Sequence, residues 1–189
     1  MTQQAPAPRG GFRHDVKTLT DPAAGRIHGR AVWTYVRSLV ALPAPQPPPE
    51  RDTPRIAPFE FRSFLVPARM LRARSIRDGD IHLVIGDLED LDATMVVELP
   101  SVRVGHRRKD IACTRRLFVC RFGEPPFRPG WLELEGRRAN VYGVCFFDAP
   151  HHAAFGAPNG LELHPVIGLN LFTHPGDATR ADDVAELAG

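Results

Sequence analysis

The sequence predicts a mostly β chain: a five-stranded Greek-key barrel of OB type, with a helix between strands 3 and 4 and a further helix near the N-terminus. Three observations carry this. Alternating apolar runs bounded by turn residues recur along residues 60–169, the period-two pattern of half-buried strands. The segment 101–121 breaks that pattern and has helical spacing instead. The order strand–strand–strand, helix, strand–strand is that of the OB barrel. An open α+β sheet with the same order is the competing architecture.

The chain has 189 residues, is 43% hydrophobic and carries a formal net charge of +2. This suits one compact domain with extended ends. Cys113, Cys120 and Cys145 are odd in number and lack CxxC spacing, which argues against a disulfide framework and for a reducing setting. The first residues lack the apolar core of a secretory signal, and no apolar run reaches spanning length. A cytoplasmic protein with no membrane partner is the expectation.

Residues 1–30 are rich in Pro, Gly, Gln and Ala and are expected to be a flexible N-terminal segment. In residues 31–42 (AVWTYVRSLVAL), Val32, Tyr35, Val36, Leu39 and Val40 recur at helical spacing and predict an amphipathic helix. Pro43, Pro45, Pro47, Pro48 and Pro49 make residues 43–55 a semi-rigid linker. The barrel domain is expected over residues 56–174.

The first strand spans residues 60–76, with Pro67 marking a bulge or an edge. Asp78-Gly79 signals a hairpin, returning through DIHLVIG at residues 80–86. TMVVEL at residues 94–99 is the third strand. A helix begins near Asp110, a plausible N-cap, with Ile111, Leu117, Phe118 and Cys120 on one face. Strand character returns at residues 131–135 and 138–147, and again at residues 161–169. Residues 175–189 form an acidic, alanine-rich tail.

Two kinds of candidate residue stand out. Arg103, Arg107, Arg108, Lys109, Arg115 and Arg116 crowd the helical connection, and Arg72 and Arg74 lie on the first strand. Such side chains contact phosphates, so a nucleic-acid-binding module working through an arginine-rich surface is the leading functional reading. Asp80, His82, Glu98, Glu162 and His164 are the candidate catalytic residues. Glu162 and His164 share one strand face at i and i+2, and a His–carboxylate pair supports general-base work or orients a metal ligand. Asp80, Glu98 and His151 are the metal candidates, for magnesium, calcium or zinc. A metal-dependent nuclease or phosphodiesterase is therefore one alternative. A protein-interaction adaptor, docking a protein partner through residues 31–55, is the other. No GxSxG elbow, GxGxxG or P-loop is present, and no motif names a reaction.

The pieces DGD…VELP resemble the thermonuclease family, which holds calcium on an OB-type barrel. The resemblance implies Asp80 and Glu98 as calcium ligands. Ile81 replaces the family's Thr, and Ala93 and Ser101 stand near where its phosphate-binding Arg and general-base Glu are expected. The broader set DGDIHLVI, TMVVELP, GVCFFD and APNGLELHPV, over residues 55–168, resembles bacterial OB-like barrel proteins of unassigned activity. That resemblance implies the fold and points to Asp80, His82, Glu98, His151, Asn159, Glu162 and His164.

Overall fold

The structure is a computed structural model that describes residues 11–101, 105–127, 129–149 and 155–172. It is mostly β. The elements are α1 (His14–Lys17), β1 (Val32–Trp33), α2 (Val36–Val40), β2 (Ser63–Ser75), β3 (Ile81–Gly86), β4 (Thr94–Leu99), α3 (Arg108–Phe122), β5 (Leu132–Phe147) and β6 (Leu161–Leu171). The six strands form one mixed sheet in the order β1-β2-β3-β4-β6-β5, and β2 pairs again with β5. A ring of hydrogen bonds thus runs through β2, β3, β4, β6 and β5. The contacts within β2–β3, β3–β4 and β5–β6 are antiparallel, whereas β4 meets β6 in parallel.

The period-two reading fixes which side chains face the ring's interior. Ile81, Leu83 and Ile85 join Met95, Val97, Leu99, Leu161, Leu163 and Cys145 in the main apolar core. A second, smaller core of Leu19, Ala24, Ile111, Val144 and Ile167 lies on the other side of β5 and β6. There the N-terminal segment and α3 pack against the outer sheet face. Helix α3 serves both cores, contributing Phe118 to the first and Ile111 to the second.

Several expectations are revised. Residues 11–30 are not loose: Arg13, Val16, Thr18, Leu19 and Ala24 are buried. Their apolar side chains cover outer strand positions that water would otherwise wet. The helix at residues 31–42 shrinks to α2. Val32 and Trp33 instead pair in parallel with Phe64 and Leu65, a sixth strand that the helical pattern concealed. The buried Val36 and Leu39 of α2 are absorbed into the main core, so its apolar stripe packs inward. Asn159 Nδ2 donates to the carbonyls of Leu39 and Leu42, both at 2.9 Å, which anchors the helix end where the prolines begin.

In the main sheet, the register break in β2 falls between Met70 and Arg72 rather than at Pro67. The two predicted pieces at 131–135 and 138–147 are one strand, β5, kinked where Glu135 and Gly136 adopt positive φ. Helix α3 starts at Arg108, and Asp110 sits in its first turn, paired with Arg107 rather than capping the helix. Residues 175–189 lie outside the described residues.

Candidate functional site

The outer face of β3, β4 and β6 holds a buried cluster of acids and histidines. Cross-strand register sets His82 opposite Glu98, and Val97 opposite Leu163, which brings Glu98 beside His164. Asp80 joins them from the turn that begins β3. His82 Nε2 lies 2.5 Å from Glu98 Oε1, and His164 Nδ1 lies 2.8 Å from Glu98 Oε2. His164 Nε2 lies 3.8 Å from Asp80 Oδ2. Asp80 Oδ1 accepts a hydrogen bond from the Ser101 backbone N–H at 2.6 Å. Asp80, Glu98, Glu162 and His164 are all buried, whereas the His82 side chain keeps 16% of its surface exposed.

Local sequence explains this concentration. Strands β3, β4 and β6 spend one side-chain set on the apolar interior, and the polar set falls together on the opposite face. The segment around α1 covers part of that face, beside Phe146. The guanidinium of Arg13 and the ammonium of Lys17 each stand 5.0 Å from the Phe146 ring centre, and Phe146 meets the His164 ring edge-on at 5.7 Å. Lys17 Nζ also lies 3.7 Å from Asp148 Oδ2.

The cluster's electrostatics follow from burial and sign. Burial alone pushes Glu98 up, yet the charge of His164, the close approach of the His164 and His82 rings, and the charge of Lys17 together hold it well below the usual carboxylate range. Glu162 goes the opposite way: burial raises it well above that range, Glu98 and Asp148 add to the effect, and Lys17 opposes it. Asp80 is raised, chiefly by burial, against the opposing charge of His164 and the Ser101 N–H. Lys17 is raised as well, because Glu98, Glu162, Asp148 and Asp78 outweigh its own burial. One carboxyl poised to stay ionised thus neighbours another poised to stay protonated, an arrangement suited to acid–base work or cation binding.

Of the sequence candidates, Asp80, His82, Glu98 and His164 converge, with Glu162 close enough to feel the Glu98 charge. His151 and Arg103 lie outside the described residues. Asn159 is structural: beside its bonds to α2, its Oδ1 accepts from Leu161 N–H at 3.0 Å. Lys17 was not among the candidates, and no local pattern marks it; it reaches the site only because its segment folds back over β6 and β5.

The basic residues divide into two groups. Arg108, Lys109 and Arg116 are exposed along α3. Arg107 is held by Asp110 at 2.5 Å, and Arg115 by Glu124 and the Leu99 carbonyl. The second group meets aromatics. Arg74 lies over the Trp131 ring at 4.1 Å, and Arg72 lies 4.9 Å from Phe155 and 5.7 Å from Trp131. Trp131 and Phe155 contact edge to face at 6.2 Å. Phe127 bridges to Ser75, the residue after Arg74, and is 59% exposed. Arg72 also pairs with the exposed Glu133 at 3.5 Å. This arginine–aromatic face adjoins the buried cluster through the cross-strand row Arg74–His82–Glu98.

Among the described residues no helix is long and apolar enough to cross a membrane. No protein-family model matches the chain, and neither a curated protein nor a solved structure matches it.

Proposed function

We propose that this chain is an OB-type barrel module that binds single-stranded nucleic acid across the arginine–aromatic face where β2 ends and β5 begins. The ring order supports the fold assignment. Numbered within the ring, β2, β3, β4, β5 and β6 are strands 1 to 5, their order is 1-2-3-5-4-1, and α3 connects the third to the fourth. The observation that carries the binding reading is the interleaving of Arg72 and Arg74 with Trp131 and Phe155, flanked by the exposed Phe127. Guanidinium groups supply backbone charge neutralisation, and aromatic faces offer sequence-tolerant stacking worth about 1–3 kcal/mol per base.

Strands β3 and β4, a usual OB docking face, are less suited here. Their outer residues are His82, Val84, Val96 and Glu98, with no aromatic among them and the last carrying negative charge. The flanking β2–β5 region therefore takes the strand. The test is fluorescence anisotropy of the full chain with labelled single-stranded and duplex oligonucleotides across a salt series. Tighter binding of the single strand, weakening as salt rises, is expected. Undetectable or salt-independent binding refutes the reading.

A further inference from the structure

We propose that Asp80, Glu98 and His164 form a binding site for one small divalent transition-metal ion of the zinc class. This goes beyond the nucleic-acid reading and does not depend on it. One donor atom from each residue lies within 4.8 Å of the others, and all three residues are buried.

Each carboxylate has one oxygen committed to the protein and one turned toward the imidazole. Glu98 Oε1 is taken by His82, and Glu98 Oε2 faces His164 Nδ1. Asp80 Oδ1 is taken by the Ser101 N–H, and Asp80 Oδ2 faces His164 Nε2. Three of these four inward-facing atoms are unsatisfied. Glu98 Oε2 and both ring nitrogens of His164 are buried without a hydrogen-bond partner: Nδ1 and Glu98 Oε2 are close but not aligned for one, and Asp80 Oδ2 at 3.8 Å is beyond reach of Nε2. His164 is 1% exposed, so bulk solvent does not reach these atoms. Buried charges and polar groups are otherwise paired or bound to metal.

The nearby ammonium does not fill this role. Lys17 feels Glu98 and Glu162, but its ion pair is with Asp148 Oδ2. Glu162 Oε2 is a further buried, unpartnered oxygen, though it stands outside the set of three donors. His82 and the Ser101 N–H act as orienting partners behind the donors, the support that metal-ligating carboxylates generally have.

The donor set selects the ion. Calcium takes about six to eight oxygens and magnesium a near-octahedral oxygen shell, and a buried site with an imidazole suits neither. One nitrogen and two carboxylate oxygens suit zinc, cobalt or manganese, and three protein ligands leave a coordination position open. Here His164 supplies the nitrogen donor; His151, the histidine that the sequence offers, lies outside the described residues.

The test uses the full chain stripped with chelator and titrated with cobalt(II), followed by its visible absorption and by elemental analysis of bound metal. One equivalent is expected, displaced by zinc and free of thiolate charge-transfer bands. Glu98→Gln and His164→Asn should weaken uptake at least about 100-fold, and His82→Ala by about 10–100-fold, the range for lost orienting partners. The double variant Cys113→Ser/Cys120→Ser should bind as the parent does, which separates this site from the two exposed cysteines. Circular dichroism confirms that each variant folds. If His164→Asn does not fold, Asp80→Asn replaces it with the same expectation. No stoichiometric uptake by the parent chain, or uptake unchanged in Glu98→Gln, overturns the proposal.

Discussion

Arg13 and Glu60 form a two-pronged ion pair, at 2.7 and 2.6 Å, with both side chains fully excluded from solvent. Every remaining polar atom of the pair is used. Arg13 also donates to the carbonyls of Thr53, Pro54 and Phe147, while Glu60 accepts from the N–H groups of Ile56 and Phe147. One pair therefore ties the N-terminal segment, the proline-rich stretch and the end of β5 together. Removing one partner strands the other charge in the interior. Arg13→Ala or Glu60→Ala should each cost about 3–5 kcal/mol in urea unfolding. The double replacement Arg13→Met/Glu60→Leu should cost clearly less than the sum of the singles, since no orphan charge remains. Additive losses would contradict this account.

Asp87 gives a pH signature remote from the acid–histidine cluster. Its burial raises it, but the N–H groups of Arg37, Glu89 and Asp90 and the Arg37 guanidinium outweigh that and hold it below its ordinary value of 3.8. A carboxyl lowered in the folded state stabilises above its unfolded value, and that contribution fades as pH falls through the folded value. Asp87→Asn should cost about 2 kcal/mol near pH 7, the order of charge-assisted hydrogen bonds. The gap between the two proteins should narrow as pH falls below 3.8 and close only once the lowered folded-state value is passed and both side chains are neutral. Chemical denaturation at stepped pH measures it, and a constant gap down to the acid limit would be evidence against the charge.

The two halves of the arginine–aromatic face should separate by salt. Arg72→Ala and Arg74→Ala each remove one cation, and each should lower the slope of log affinity against log salt by about 0.7 for a single strand. Trp131→Ala removes a stacking face without a charge. It should cost about 1–3 kcal/mol of affinity and leave the slope unchanged. Equal effects on the slope from all three would show that the ring is merely a support for the arginines.

The sequence made some of this visible and hid the rest. The Asp78-Gly79 turn and the alternation of Ile81, Leu83 and Ile85 with His82 are local signals, so β3, its register and its polar face were readable. The shared face of Glu162 and His164 followed from the same period. What joined these strands to Lys17 and Arg13 was not readable, because those contacts depend on a segment of ordinary loop composition returning to the sheet. The pairing of Arg72 and Arg74 with Trp131 was hidden for a similar reason. Each side shows period-two spacing, but the β2–β5 contact that brings them together is set by ring closure. β1, only two residues long, was too short for any periodicity.

Gly105 fixes the return of that N-terminal segment. It has φ +88°, and a Cβ there would sit 2.3 Å from the Thr18 carbonyl oxygen, with the Leu19 carbonyl at 3.0 Å. The next residue, His106, donates its N–H to that same Leu19 carbonyl at 3.0 Å. Gly105→Ala therefore adds left-handed backbone strain of about 1–3 kcal/mol and a backbone clash that no side-chain rotation relieves. The cheapest relief is for residues 18–20 to lift, since the sheet beneath is held by its own ladders. Limited proteolysis should then cut the N-terminal segment faster than in the parent chain, and Lys17 should react more readily with amine-directed reagents. The Arg13 pair lies on the far side of α1 and should still hold the segment's start, so the opening is expected to be local. Proteolysis and labelling that match the parent would mean that the chain absorbs the methyl group elsewhere, and that Gly105 does not govern access to the buried cluster.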